Sequence, residues 1–94
     1  MPNRKANEMK FSLGKVLLTM DVFKRITEPE INNILHRHSN MDWGDMSPEE
    51  KALNDEAVVK NNSLHSVFYI RGIKVRVITE WDRSATTVIL PSER

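Results

Sequence analysis

Apolar and polar positions alternate most clearly near the C-terminus, where Ile73, Val75, Val77 and Thr79 interleave with Lys74, Arg76, Ile78 and Glu80. A period of two marks a strand with one core face and one largely wet face. The apolar run at residues 64–70 leads into it through Arg71-Gly72, a tight-turn signal, and the pair predicts a β-hairpin. A polar break at residues 81–85 reverses the chain again. The run at 86–90, stopped by Pro91, then returns beside residues 73–79 as a third strand. Near the start, Gly14 precedes a short strand-like run, KVLLT, at residues 15–19.

Between these runs the period lengthens to that of a helix. Asp21 reads as an N-cap opening a short segment with Val22, Phe23 and Ile26 at i, i+1 and i+4. Thr27 restarts the helix, with Pro29 in the first turn and Glu30 placed to complete a capping box. Ile31, Ile34 and Leu35 form one stripe, and His36, Arg37 and His38 fall in the last turn, where cations suit the carbonyl end of the dipole. Ser47-Pro48-Glu49-Glu50 gives a second capping box and the firmest boundary in the chain. The helix it opens runs to about Lys60 and is expected to bury Leu53 and Ala57, with Val58; Asn61-Asn62-Ser63 ends it. The pattern predicts an α+β fold: two to three helices packed on a small antiparallel sheet with a C-terminal three-stranded meander. Residues 1–10, polar and aperiodic, read as a flexible leader, and 11–94 as a single α+β domain.

Composition narrows the class without choosing a function. A chain of 94 residues has room for one modest core, and 39% hydrophobic with 29% charged residues fits an ordinary globule rather than a disordered or membrane chain. No apolar run approaches membrane-spanning length and the N-terminus lacks a signal-peptide core, so a cytoplasmic location is expected. The absence of cysteine removes disulfides, thiolate chemistry and sulfur-based zinc sites. A net charge of +1 argues against strong non-specific binding to nucleic acid. The charge is uneven, however: the ends are basic, and residues 41–60 are acidic.

Few groups are placed for chemistry. His36, His38 and His65, with Asp42 or Asp45, are the only candidate metal set, but histidines at i and i+2 diverge on a helix, so neither a metal nor another cofactor is expected. Glu80, Asp82, Arg83 and Ser84 gather acid, cation and hydroxyl, yet no histidine accompanies them and Ser84 has no evident base. A turn is the simpler reading, with Asp82 and Ser84 accepting from backbone amides and Arg83 pointing to water. Lys74 and Arg76 share one strand face with Arg71 near its end, a row suited to phosphates; the wet face of a sheet accounts for it equally. Trp43 suits the core, whereas Trp81 stands beside charged residues at a strand end and suits an interface.

Asp42-Trp43-Gly44-Asp45, then Glu49-Glu50-Lys51 and Asn54, then Ile78-Thr79-Glu80 with Asp82-Arg83-Ser84-Ala85-Thr86-Thr87 and Pro91, resemble a family of small bacterial proteins found on plasmids, phages and other mobile elements. Its members are often labelled plasmid-related proteins or type I restriction subunit M. The likeness runs over residues 13–93. The chain departs from the family pattern at Trp81, where a small residue is usual, at Met41, where glycine is usual, and in its final residues. The methyltransferase label does not fit so short a chain, which has no glycine-rich cofactor loop.

The company that family keeps, with the small size and the acidic middle, leads to the expectation of a non-catalytic protein-interaction module of a mobile genetic element; an inhibitor of a host defence nuclease, of the anti-CRISPR or anti-restriction type, is one form it could take. A protein partner would meet Asp42, Trp43, Asp45, Glu80, Trp81, Asp82, Arg83 and Ser84. The alternatives are a small nucleic-acid-binding or ribonuclease-like protein using Arg71, Lys74, Arg76 and Arg83, and a small-molecule sensor with a pocket between helices and sheet. The final strand, taken as a sheet edge, offers a route to a homodimer.

Overall fold

The computed structural model describes residues 9–91. Seven elements follow one another: β1 (Lys15–Leu18), α1 (Met20–Arg25), α2 (Glu28–Ser39), α3 (Pro48–Lys60), β2 (Leu64–Ile70), β3 (Ile73–Thr79) and β4 (Ala85–Ile89). Together they make an α+β fold with the strand order β1-β4-β3-β2. The alternating pattern governs the β2–β3 hairpin, which pairs in full register from Leu64 opposite Thr79 to Ile70 opposite Ile73. Arg71 and Gly72 both take positive φ, 50° and 81°, as a two-residue primed turn requires. β4 completes the antiparallel meander, with Val77 opposite Val88 and Thr79 opposite Thr86.

β4 is not the edge that its position last in the sequence suggested. β1 lies along it in parallel, Lys15 beside Ala85 and Leu18 beside Val88, so the sheet is mixed and β1 is its outer strand. Gly14 makes this junction. At φ 64°, it lies so close to the following turn that a Cβ would come within 2.4 Å of the Arg83 carbonyl oxygen. Any side chain there would push β1 away from β4.

Both predicted capping boxes form, Thr27 with Glu30 on α2 and Ser47 with Glu50 on α3. α1 is capped by Thr19 rather than Asp21; the Thr19 hydroxyl accepts from the Val22 N–H, which places Asp21 inside the first turn. The main core holds Val22, Ile26, Ile31, Ile34 and Leu35 from the helices against Phe68, Val75, Val77, Val88 and Leu90 from the sheet side. A smaller cluster of Trp43, Ala57 and Leu64 lies under α3, flanked by Phe11, Met41, Met46 and Val58.

Leu53, expected in this cluster, is 66% exposed, and Asn54 is buried in its place. The four apolar residues of α3 near its middle and end make no stripe, and the helix turns toward the sheet the face that carries Asn54 and Ala57. Most of the predicted leader lies outside the described residues; Lys10, at its end, donates its N–H to the Ser39 carbonyl at 2.8 Å. Among the described residues no helix is long and apolar enough to cross a membrane.

Candidate functional site

The Asp42-Trp43-Gly44-Asp45 segment is built as a splint on the outer side of β2. Val67 donates to the Trp43 carbonyl at 3.1 Å and accepts from the Asp45 N–H at 2.7 Å, so the segment adds a short parallel bridge to the sheet. Gly44, at φ 79°, allows that approach: a Cβ there would stand 2.0 Å from the Val67 carbonyl oxygen. Asp42 locks the entry, accepting from the Gly44 N–H at 3.1 Å and from Arg37 Nε at 2.7 Å. The Arg37 guanidinium holds the Asp42 carboxyl below the usual carboxylate range. Trp43 is buried against Phe11 and His38, and its indole N–H donates to Asp55 at 2.9 Å. Asp45 keeps its side chain exposed.

Asn54 extends the same splint. Its amide nitrogen donates to the His65 carbonyl at 2.8 Å and its amide oxygen accepts from the His65 N–H at 3.1 Å, the pair of bonds a neighbouring strand would make. No periodicity marks this role; the only sequence signal is an amide placed one residue after an apolar position on a short helix.

The Glu80 to Ser84 turn is similarly committed to structure. Asp82 accepts from the Ser84 N–H at 3.0 Å, as expected of a turn aspartate, and this contact with Ser84 lowers its pKa. Arg83 does not point to water. Its Nη1 donates to the carbonyls of Asn62, Glu80 and Trp81 at 2.7, 3.1 and 3.0 Å, and its Nη2 to that of Ala57 at 3.1 Å. The guanidinium thereby sits at the C-terminal end of α3, where a cation suits the helix dipole, and binds it to the β3–β4 turn. Ser84 passes the connection to β1, its carbonyl accepting from the Lys15 N–H at 3.0 Å. Glu80 remains exposed, and Trp81 is 61% exposed.

His38, expected among the cations of the last turn of α2, is fully buried. It begins a polar chain through the core: Nδ1 lies 2.5 Å from Ser66 Oγ, and Nε2 lies 2.8 Å from Thr79 Oγ1. Thr79 Oγ1 meets Thr86 Oγ1 at 2.7 Å, and Thr86 donates to the Leu13 carbonyl at 2.7 Å. The last bond fixes the rest. Thr86 has one hydroxyl proton, given to Leu13, so it accepts from Thr79, and Thr79 accepts from His38 Nε2–H. His38 Nδ1 is then the acceptor for the Ser66 hydroxyl, which assigns the neutral Nε2–H tautomer. Burial, with His65 and Arg83 adding repulsion, lowers its pKa to about 3.

The histidines do not converge: His36 is on the surface, His38 is in the core and His65 is on the other face of β2, and no metal-holding group of three appears among the described residues. The candidate cations are also dispersed. Arg71 forks onto Glu30 at 3.0 and 2.8 Å and donates to the Arg25 carbonyl at 2.9 Å, fastening the hairpin turn to the start of α2. That guanidinium, with the Thr27 N–H, holds the Glu30 carboxyl at about 2. Arg83 serves α3 at the other end of β3. Lys74 is exposed, and Arg76 is half-buried.

A further exposed apolar surface lies at the β1 edge of the sheet. Val16, Leu17, Leu18, Met20 and Phe23 are all exposed on β1 and α1. Val16, Leu18 and Phe23 lie together around one groove, whereas Leu17 alternates to the other face of β1. The groove holds about 580 Å³ and is also walled by Ile26, Ile31 and Leu35. Lys15 and Thr19 direct their N–H groups toward Ser84 and Val88, so backbone alternation turns Val16 and Leu18 outward, and no described strand pairs with that side. Comparison with protein-family models, curated proteins and solved structures finds no match for the chain.

Proposed function

We propose that the protein is a non-catalytic interaction module whose protein partner lays an extended segment along β1. The observation that carries this reading is the coincidence of an open strand edge with an apolar groove beside it. Added strands bind in this way, main-chain hydrogen bonds supplying affinity and alternate side chains entering the groove. The internal engagement of Arg71 and Arg83 supports it over the nucleic-acid reading, because two of the four cations that reading needs already serve internal acceptors.

The finer reading, an inhibitor of a host defence nuclease encoded on a mobile element, is supported by the resemblance of the Asp42 and Asp82 motifs to proteins of such elements. Expression in bacteria that carry a restriction or CRISPR nuclease tests both readings. The wild type is expected to restore phage plating, and Val16→Lys/Phe23→Lys, both at exposed positions lining the groove, to abolish the effect while leaving the fold intact. A wild type that protects no phage removes the anti-nuclease reading. A double variant as protective as the wild type removes β1 as the contact.

A further inference from the structure

A second concave surface lies between α3 and the outer face of the hairpin, away from the β1 edge. It encloses about 460 Å³, within the range of small-molecule pockets. Met46, Leu53 and Ala57 line it from the helix side, and His65, Val67 and Arg76 from the sheet. Arg76 sits opposite Val67 in the middle of the hairpin, on the face away from the core.

Among the described residues, the buried Arg76 Nε has no hydrogen-bond partner. Of the three half-buried arginines, Arg37 and Arg83 have acceptors and Arg76 Nε does not; a buried donor left unpaired is costly, and more so on a charged group. The acids at the rim are already engaged. Glu50 accepts from the Ser47 N–H in its capping box, and Glu56 is paired with Lys60 at 2.5 Å. Neither rim acid is bonded to Arg76, so its Nε is left open to an acceptor brought by a ligand.

We propose that this groove binds a small organic carboxylate with an apolar body, the carboxylate meeting Arg76 and the body lying against Leu53, Met46, Ala57 and Val67. The edge of a guanidinium matches a carboxylate in plane and spacing. Two acids at the rim oppose a multiply charged phosphate more strongly than a monoanion. The apolar walls favour a ligand that is more than a bare ion, and they account for Leu53, which α3 presents to the groove instead of to the core.

The test is a titration followed by backbone amide NMR, with phenylacetate as the probe and phenylacetamide and inorganic phosphate as controls. Phenylacetate should shift Asn54, His65, Val67 and Arg76 saturably, with a Kd of about 1 mM or tighter. Phenylacetamide, lacking the charge, should bind at least tenfold more weakly. Arg76→Gln should lose binding, and Leu53→Glu, altered at an exposed position and so harmless to folding, should weaken it at least tenfold.

His65 gives an independent readout. Burial and the Arg76 charge lower its pKa against the opposing pull of Glu80, so a carboxylate paired with Arg76 should raise it, and phenylacetamide should not. Absence of saturable shifts, equal binding of phenylacetamide, or undiminished binding to Arg76→Gln or Leu53→Glu would each overturn the proposal. Phosphate binding as tight as phenylacetate would overturn the choice of ligand class.

Discussion

Mild acid should weaken this protein through one side chain. His38 is neutral in the folded state, with a pKa of about 3, against 6.5 for a free imidazole. Below pH 6.5 the unfolded chain binds a proton that the folded chain refuses, so stability falls with pH. The loss begins near 6.5, steepens to about 1.4 kcal/mol per pH unit, and levels off near pH 3. Between pH 7 and pH 5 it amounts to about 2 kcal/mol, a large share of the roughly 5–15 kcal/mol that holds a small domain together. A melting temperature lower by roughly 8–16 °C is expected over that interval.

The assay is urea unfolding at pH 7, 6 and 5 for the wild type and for His38→Gln, whose amide can accept from Ser66 and donate to Thr79 without titrating. The variant should be less stable at pH 7 by about 1–3 kcal/mol, through imperfect geometry, but should lose much less on going to pH 5. His65, whose pKa burial also lowers, adds a smaller loss in the same direction to both proteins, which the comparison cancels. Equal acid sensitivity in the two proteins, or an NMR titration of His38 centred near 6.5, would refute the reasoning.

Two further substitutions test the loops. Arg83→Ala should cost about 2 kcal/mol in urea unfolding, since it strips charged donors from carbonyls at the end of α3 and in the β3–β4 turn; a loss within 0.5 kcal/mol, about that of a neutral surface change, would show the guanidinium to be dispensable. Gly44→Ala should cost roughly 3 kcal/mol or more, because the new Cβ meets the Val67 backbone at a positive φ, and the fluorescence of Trp43 should shift to the red as the splint leaves β2. Unchanged stability and emission would contradict the tight approach.

Local chemistry was well written in the sequence. The hairpin at residues 64–79 carries its own alternation and its own turn, and each capping box lies within four residues, so neither depended on distant parts of the chain. β1 was legible as a strand but not as the parallel neighbour of β4, because nothing in KVLLT encodes a partner some seventy residues away. His38 had a usable signal. Ile31, Ile34, Leu35 and His38 continue one stripe at i, i+3, i+4 and i+7, but the favourable position of a cation in the last turn pointed the other way. Asn54 and Arg83 were unreadable as braces because their acceptors are backbone carbonyls, which every residue possesses and no sequence distinguishes.

The motif residues Asp42, Trp43, Asp82 and Arg83 are thus explained by architecture. The open surfaces carry a weaker sequence signature: Leu17 and Phe23 look like any core residue until the fold places them outside. Arg76 looks like any wet-face cation until its Nε is found buried and unmatched.

The Asn54 amide and the Gly44 splint also set how many copies or partners the sheet can accept. By occupying the outward backbone groups of His65 and Val67, they close most of that side and leave β1 as the principal opening. With β1 the main open edge among the described residues, two molecules joined edge to edge there would cover each other's principal point of growth, which favours a closed pair over a fibre.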